Sequence, residues 1–572
     1  MKIKHLFGLA VIAAMTASCS SNEDLGTAGP GTGTNETGVG YATFTINLPS
    51  VSGTRAADAG GAEMNEGTAN EYAVKSATAL IFQKYGSDEG SCKFVESVDL
   101  PTAAADWTDD TTVGITTTKK LVAKLTNVDT KNQYYVLVLL NNNKTGGVKV
   151  ALPTVGQSYN EWNSQTLTPS VDDLAADNDF YMANAPLKGT ASPTTLVTID
   201  KEHIYSSKEK AEAGTSAATV YVERGVAKMS VTDPTTKTVI DKATNTPTQS
   251  TVEFNNWALD ITNKKTYAVH NIDDLSTDFP DIWTTPRFIG TNSRVYWGKD
   301  PNYNLDNLNT GKEAEREAEF NFIKATSEIN KTFTESAYCL ENTFNLANMY
   351  QGQTTRVIFK ATYTPKDDAG NPLADKDGTF YTIGNMTTIL KETALETAVN
   401  TAATSVLPGC TVDYTNLKQE GSHVITLTDI KDSTGKTLVA GTDYNGKTGT
   451  QIVKEINDKL GLIDGAGHAE AMVGINTYLR GVTYYIARVK HFGSLTPWNS
   501  GESYGTDNGK YLGRYGMLRN NWYDLTVGNV YGPGYPGVPP VDPTQPDDEN
   551  EKYLSVSVKI LSWAKRSDTV DL

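Results

Sequence analysis

The sequence predicts an all-β fold with minor helical insertions, built from antiparallel β-sandwich domains. The main observation is a series of short runs in which apolar and polar residues alternate, as they do on half-buried strands. Residues 134–139, 357–363 and 482–489 are three such runs. Helical spacing is found in two stretches, 388–403 and 451–460. At 572 residues the chain is too long for one hydrophobic core, so we expect two domains plus tails.

Residues 1–18 have the pattern of a secretory signal peptide. Lys2 and Lys4 precede a short apolar run, and small residues follow it directly before Cys19. A cysteine in this position is typical of lipoprotein signals, in which the thiol takes up diacylglycerol before the signal is cut. The polar residues 20–24 resemble the acidic export tag of some surface lipoproteins. We therefore expect Cys19 to become a lipidated N-terminus.

Residues 41–48 alternate as a half-buried strand. Its apolar row consists of Ala42, Phe44, Ile46 and Leu48. The loop that follows carries one basic residue, Arg55, among small residues, and exposed loops of this composition are where proteases cut. A trypsin-like enzyme would cleave between Arg55 and Ala56 and so sever the strand from the rest of the chain. From this loop alone, an ordinary surface arginine is the better interpretation.

Near the C-terminus, residues 532–552 form a proline-rich and then acidic linker. Because proline fixes φ and lacks an N–H donor, we expect an extended polyproline spacer that holds the end of the chain away from its own body. About twenty residues at ~3.1 Å each would reach about 60 Å.

Residues 553–572 form the last segment, and 553–560 align residue for residue with 41–48. The second apolar row consists of Leu554, Val556, Val558 and Ile560. Trp563 follows this row, and we expect it to anchor the segment, since a buried tryptophan is a common interface hot spot.

These matching ends predict donor-strand exchange. Proteolysis would remove residues 19–55 of one subunit, and the last strand of another subunit would fill the same groove. Because such a contact is head-to-tail, repeated joining produces a filament of identical subunits.

Composition argues against several other functions. The formal net charge of −17 disfavours nucleic acid and anionic membranes as partners. The six histidines lie far apart, and no metal-binding or catalytic motif is found. We therefore expect a protein that is not an enzyme, with no cofactor, catalytic residue or metal site. Beyond Cys19, Cys92, Cys339 and Cys410 leave room for at most one disulfide, and their pairing stays open.

Several motifs together resemble the fimbrillins, the subunits of type V fimbriae. Residues 222–228 are similar to the VER-x-VAK strand of that family. Further likenesses lie at 256–259, 263–267, 341–343, 519–523, 561–563 and 570–572. The likeness is strongest to the major structural subunit of short fimbriae in periodontal anaerobes, and its motifs extend from the lipoprotein signal to the last residue.

The resemblance implies two transthyretin-like β-sandwich domains and a C-terminal donor-strand arm. The expected domain ranges are a signal peptide at 1–18, a propeptide at 19–55, sandwiches at 56–216 and 217–531, a linker at 532–552 and a donor strand at 553–572. The resemblance also implies export through the periplasm as an outer-membrane lipoprotein precursor, with palmitate on Cys19, and maturation by an Arg-specific or trypsin-like protease. In its light Arg55–Ala56 becomes the expected maturation bond.

The predicted function is that of a fimbrial shaft subunit supporting adhesion and biofilm formation. Its expected partners are identical subunits, tip and anchor subunits, the maturation protease and the lipoprotein export machinery. Because tip subunits are expected to lack the arm and anchor subunits to keep the first strand, the arm favours a shaft role.

The alternative is a surface glycan-binding lipoprotein whose sandwiches present aromatic platforms. Trp107, Trp162 and Trp498 lie in polar, loop-like stretches and would supply such platforms if they are exposed. This alternative explains the lipoprotein signal, but it explains neither the matching end strands nor the proline-rich segment.

Overall fold

A computed structural model describes most of the chain between residues 33 and 562. The described residues are 33–34, 38–48, 67–102, 118–129, 131–188, 193–275, 295, 297–305, 308, 312–384, 386, 388–462, 474–492, 512–547 and 554–562.

Strands dominate both halves of the chain. The strands of the first part are β1 (Gly40–Asn47), β2 (Ala77–Gln83), β3 (Lys93–Leu100), β4 (Thr118–Leu125), β5 (Tyr134–Leu140), β6 (Asn143–Lys144), β7 (Gly147–Val148), β8 (Ala175–Ala176), β9 (Asp179–Phe180), β10 (Met182–Asn184), β11 (Leu187–Lys188), β12 (Pro193–Thr194), β13 (Val197–Ile199), β14 (Ile204–Tyr205) and β15 (Ala218–Arg224).

The second part continues the same pattern. Its strands are β16 (Ala227–Val231), β17 (Thr236–Asp241), β18 (Thr246–Asp260), β19 (Thr262–Asn263), β20 (Phe320–Asn321), β21 (Ala337–Cys339), β22 (Arg356–Thr364), β23 (Phe380–Ile383), β24 (Thr411–Val412), β25 (Gly421–His423), β26 (Ile430–Lys431), β27 (Asp443–Tyr444), β28 (Lys447–Thr448), β29 (Ile475–Tyr478), β30 (Val482–Arg488), β31 (Asn521–Val530) and β32 (Leu554–Ser562).

In the part of the chain that the structure describes, the α-helices are few, and most are short. They are α1 (Ala69–Tyr72), α2 (Tyr159–Asn163), α3 (Val171–Leu174), α4 (Lys208–Ala213), α5 (Glu313–Glu319), α6 (Glu392–Val406) and α7 (Gly449–Leu460). The all-β fold with minor helical insertions predicted from the sequence is confirmed.

The first sheet has nine strands in the order β14-β1-β15-β10-β5-β2-β3, with β13 pairing β5 and β4 pairing β1. One large apolar core packs against it, and fully buried runs such as Val136–Leu140 supply much of that core. Because β5 is apolar on both faces, it lies in the interior of the sheet and not at an edge.

The second sheet has eight strands in the order β21-β16-β31-β17-β18-β22-β30, with β32 pairing β31. Its core includes Trp257, Phe359 and Tyr523, each fully buried. The chain changes from the first sheet to the second between Arg224 and Ala227, where β15 ends and β16 begins. This point lies shortly after the boundary predicted at 216, and the strand at 218–224 stays with the first sheet.

The two predicted helices lie in an insertion between β22 and β30, which pair directly with each other. This insertion has its own apolar core, formed by α6, α7 and the short strands around them. Helix α7 begins at Gly449 because Thr448 and Gln451 form a capping box. Helix α6 begins at Glu392 and not at 388, since Leu390 still pairs with Tyr381.

Candidate functional site

The first candidate element is the slot that β1 fills in the first sheet. Along one edge, β1 pairs antiparallel with β4 over its whole length, from Gly40 opposite Leu125 to Asn47 opposite Thr118. Along the other edge, its first residues pair with β14 and its later residues pair parallel with β15. We use the word slot for this gap between β4 on one side and β14 and β15 on the other. Strand β1 is therefore held by backbone hydrogen bonds at both of its edges.

One face of β1 is apolar and completely buried. Ala42, Phe44 and Ile46 have no exposed surface, and Leu48, directly after the strand, is 3 % exposed. Opposite them on β4 lie the buried Leu121 and Ala123. The alternation in the sequence produces this face, because every second side chain of a strand points the same way.

The other face of β1 is polar and is also covered. Thr43 is 2 % exposed, and its hydroxyl donates to the carbonyl oxygen of Ala211 in α4 over 2.7 Å. The hydroxyls of Thr45 and Ser216 are hydrogen-bonded to each other, also over 2.7 Å. The prediction of a half-buried strand is therefore wrong for β1, because α4 and the residues after it cover the face that was expected to meet solvent.

The second candidate element is β32, which contains the predicted donor row. It pairs antiparallel with β31, from Asn521 opposite Ser562 to Val530 opposite Leu554. Within the described residues, β31 is the one strand that pairs with β32. The prediction that the arm stands away from its own body is wrong, since this strand completes the edge of the second sheet of its own chain.

Residues 532–547, which we call the strap, lie against the second sheet. Tyr535 and Tyr484 exchange two backbone hydrogen bonds, of 2.6 and 2.8 Å. The side chain of Arg356, 2 % exposed, donates to the carbonyl oxygens of Pro539 and Pro540 over 2.6 and 3.0 Å. A proline-rich chain docks in this way because its carbonyl groups have no ladder partner of their own and accept from a buried guanidinium.

The end of the strap is fixed as well. Gln351 donates its backbone N–H to the carbonyl oxygen of Gln545, and Asp547 donates its own to Met349. Asp547 has no exposed surface, and its carboxylate accepts from the hydroxyl of Thr354. Residues 532–547 of the predicted spacer of about 60 Å are therefore bound to the second sheet and are not a free arm.

A buried charged group joins the two sheets beside β31. Lys228 of β16 lies 2.6 Å from the carboxylate of Glu71 in α1, and the hydroxyl of Tyr338 donates to the same carboxylate. Burial alone would raise the pKa of Glu71, but the Lys228 ammonium holds that pKa below its ordinary value. Burial lowers the pKa of Lys228. The same ammonium lies 3.8 Å from the centre of the Trp522 ring on β31.

Other residues predicted from the sequence lie outside the described part of the chain. These are Cys19, Arg55, Ala56 and Trp563. Cys92, Cys339 and Cys410 are buried and unpaired with one another. Burial raises the pKa of the Cys339 thiol to about 12, so this thiol is unreactive at neutral pH.

The prediction of exposed tryptophans is wrong for Trp162, while Trp107 and Trp498 lie outside the described residues. Trp162 lies in α2, is 3 % exposed and donates its indole N–H to the carbonyl oxygen of Ala151.

Among the described residues, no three side chains of the metal-binding types form a group that could hold a metal ion. Nor does any helix of that part have the length and apolar character needed to cross a membrane.

Sequence reasoning found both end strands but missed what binds them. It did not identify β4, α4 or Ser216 as the walls of the slot, nor Arg356 as the residue that holds the strap. The partners of β1 lie more than seventy residues further along the chain, and no local pattern links them to it.

Comparison with known families bears on the second element. Residues 476–569 match the family described as "Major fimbrial subunit protein type IV, Fimbrillin, C-terminal". This span contains β30, β31, β32 and the strap. A search of curated proteins finds no match.

Three solved structures show likeness at low identity. A fimbrial assembly protein from Parabacteroides distasonis is 13 % identical, with 40 % of this chain and 65 % of that chain covered and a TM-score of 0.23. A putative cell adhesion protein from the same species is 9 % identical, with 91 % and 99 % covered and a TM-score of 0.35. The tip fimbrial protein Mfa3 from Porphyromonas gingivalis, with C-terminal truncation, is 12 % identical, with 57 % and 81 % covered and a TM-score of 0.23.

The chain spans 65 % of the length of the first of these structures. The resemblance to fimbrillins predicted from the short motifs is confirmed by the family match over residues 476–569.

Proposed function

We propose that this chain is a shaft subunit of a cell-surface fimbria that polymerises by donor-strand exchange. The observation that carries the proposal is the enclosure of β1, whose sequence pattern is repeated by the last strand of the chain. Removing a strand that is paired at both edges leaves a slot with two free edges and an uncovered apolar core. A strand of the same pattern from another subunit fits such a slot.

Export and maturation come first in this scheme. Cys19 receives lipid, and the precursor passes through the periplasm to the outer membrane with the lipoprotein export machinery as its partner. An Arg-specific or trypsin-like protease then cuts between Arg55 and Ala56. After that cut, β1 is held in the slot by non-covalent contacts alone.

Assembly then exchanges one strand for another. Leu554, Val556, Val558 and Ile560 of an incoming subunit take the places of Ala42, Phe44, Ile46 and Leu48. Four buried apolar side chains at about 1.5–3 kcal/mol each stabilise the joint by roughly 6–12 kcal/mol before ordering costs. Trp563 anchors the end of the incoming strand.

The resting position of β32 favours this exchange. Among the described strands, β32 is paired at one edge, by β31, whereas the slot offers two edges. A strand that moves from one paired edge to two gains a second ladder of hydrogen bonds, at about 0.5–1.5 kcal/mol for each bond. Moving to the next subunit is therefore downhill once that slot is empty.

The strap sets the distance between neighbouring subunits. Because its contacts extend to Asp547, the part of the chain that crosses to the next subunit begins after this residue. Successive subunits are then close together, and the shaft is a compact homopolymer. Tip and anchor subunits complete the fimbria, which supports adhesion and biofilm formation.

A truncation tests the proposal. A chain lacking residues 1–18 and ending at Asp547 keeps the strap but loses the donor strand, and we expect it to remain monomeric after cleavage while the longer chain forms fibres. Equal thermal unfolding of the uncleaved first sheet in both chains is the control. Fibres from the truncated chain would show that assembly does not use the last strand.

A substitution tests the maturation step. Arg55→Ala should yield secreted monomers that do not assemble, and Lys at the same position should restore assembly with a trypsin-like protease. Normal fibres from Arg55→Ala would mean that the cut lies elsewhere or is not needed.

The glycan-binding alternative has less support. Trp162, one of the three tryptophans on which it depends, is enclosed in the first core. A pull-down on polysaccharides separates the two functions, because only the alternative requires binding by the uncleaved monomer.

A further inference from the structure

The polar face of β1 makes two side-chain hydrogen bonds that the donor strand has to replace. Thr43 donates to the carbonyl oxygen of Ala211, and Thr45 is bonded to Ser216. Both partners belong to α4 and the turn that follows it, so one short stretch of chain covers this face. Thr43 is the more enclosed of the two threonines, while Thr45 is half-buried.

The last strand carries hydroxyl groups at the same spacing. In the alignment of the two ends, Ser555 corresponds to Thr43 and Ser557 corresponds to Thr45. A serine hydroxyl can make the bonds that a threonine hydroxyl makes, and it needs less space. The apolar rows alone do not fix this alignment, since alternating rows also match after a shift of two residues.

A shift of two residues in one direction is excluded by size. It places Tyr553 where Thr43 lies, against Ala211, in a site that is 2 % exposed. A phenol ring has no room there without displacement of α4.

A shift in the other direction is excluded by polarity. It places Lys559 where Thr45 meets Ser216, and Ser562 where Leu48 lies in the apolar core. In that register the hydroxyl of Ser562 would replace an apolar side chain that is 3 % exposed, and the surrounding core offers it apolar neighbours. In the unshifted alignment Lys559 replaces Asn47, which is 2 % exposed, so the lysine stem lies in a buried site and the ammonium has to extend past the strand end.

We propose that Ser555 and Ser557 fix the register of the donor strand, through hydrogen bonds to the carbonyl oxygen of Ala211 and to Ser216 of the next subunit. This inference rests on the proposed function and identifies the surface, formed by Ala211 and Ser216, that recognises the incoming strand. The apolar row supplies the binding energy, and the two serines select one register among those that bury it. The partner is a second copy of this chain.

A pair of cysteine substitutions tests the register directly. The γ atoms of Thr45 and Ser216 are 2.7 Å apart, so cysteines in these two environments lie within reach of a disulfide. Subunits with Ser216→Cys and Ser557→Cys, in a chain lacking residues 1–19, are cleaved, assembled under reducing conditions and then oxidised. We expect a ladder of covalent multimers on non-reducing gels.

The matched control moves one cysteine by two residues. Subunits with Ser216→Cys and Ser555→Cys should give at least ten-fold less covalent multimer for the same amount of fibre, because the two sulfur positions are then about 6.6 Å further apart along the strand. A ladder from this control and not from the first pair would overturn the register while leaving donor-strand exchange intact. Fibres that give no ladder with either pair would also overturn it.

An error in the proposed function would give a different experimental result. If cleaved wild-type protein forms no fibres, donor-strand exchange itself is wrong. Where a double variant does not assemble, a peptide assay replaces the fibres. Peptides of residues 552–564 that carry Ser557→Cys or Ser555→Cys are mixed with cleaved Ser216→Cys subunits that end at Asp547, and the mixture is oxidised to form a disulfide between peptide and subunit. Capture of the first peptide supports the proposed register, and capture of the second or of neither contradicts it.

Discussion

Strands β1 and β32 have almost the same pattern of residues but hold opposite positions in the molecule. β1 is paired at both edges and covered on both faces, whereas β32 is paired with β31 alone among the described strands. A strand of the first kind is a structural part of its sheet. A strand of the second kind can be peeled from its neighbour, one hydrogen bond at a time. The same sequence pattern thus occurs in a strand that is paired at both edges and in one that, among the described strands, is paired with a single neighbour.

The largest expected effect comes from locking β32 in place. Thr526 and Ser557 lie opposite each other on β31 and β32, and opposite residues of antiparallel strands are close enough for a disulfide. Oxidised Thr526→Cys with Ser557→Cys should therefore abolish fibre formation after cleavage, and a reducing agent should restore it. Light scattering follows assembly, and each single variant is the control.

Fibres from the oxidised double variant, with the disulfide confirmed by mass spectrometry, would contradict the account. They would mean that β32 does not have to leave β31.

The next effect concerns β1 in the uncleaved chain. Phe44→Ala empties a fully buried site in the first core, so we expect a loss of about 3–5 kcal/mol in the free energy of unfolding. Urea titration followed by tryptophan fluorescence measures this loss. Tyr85→Ala, at a position 65 % exposed, is the control and should change stability by less than about 0.5 kcal/mol. A cost below about 1 kcal/mol for Phe44→Ala would mean that β1 is dispensable.

A buried acid in the second half of the chain makes stability depend on pH. Burial raises the pKa of Asp300 from 3.8 to about 7, while the backbone N–H groups of Asn302 and Thr343 donate to its carboxyl group. The folded chain therefore binds a proton that the unfolded chain releases near pH 4. Stability should fall as pH rises from about 4 to about 7, by at most about 1.4 kcal/mol per pH unit from this group.

The Asp300→Asn variant, which lacks the titrating carboxyl group, tests that prediction. The difference in unfolding free energy between wild type and variant should change between pH 5 and pH 7 and stay constant above pH 8. A difference that is flat over the whole range would show that Asp300 is ionised in the folded chain.

The smallest effect concerns the polar face of β1. Thr43→Val keeps the shape of the side chain but removes the hydroxyl that donates to Ala211, and we expect a loss of about 1 kcal/mol. Thr219→Val, at an exposed position of β15, is the matched control. Equal values for the two variants would remove the reason for comparing Thr43 with Ser555.

Much of the fold follows from local patterns in the sequence. The predicted strands at 134–139, 357–363 and 482–489 agree with β5, β22 and β30 within about one residue, because alternation and β-branched residues specify strands locally. The end strands were located in the same way. Of the helix limits, the start of α7 was missed by two residues, although the capping box of Thr448 and Gln451 marks it.

The segments that contact these elements could not be predicted from the sequence. The walls of the slot come from segments 118–125 and 204–221, and only the folded chain brings them to β1. The strap was predicted to be free because proline patterns describe the backbone of a segment but not its docking. Its position depends on Arg356, and the sequence around Arg356 does not distinguish it from an ordinary strand residue.

Electron microscopy of the chain lacking residues 1–18, before and after brief trypsin treatment and with the new N-terminus sequenced, decides whether cleavage starts assembly. We expect monomers before treatment and fibres after it, with Ala56 as the first residue. Fibres before cleavage, or cleaved chains that begin at Ala56 and stay monomeric, would contradict this expectation.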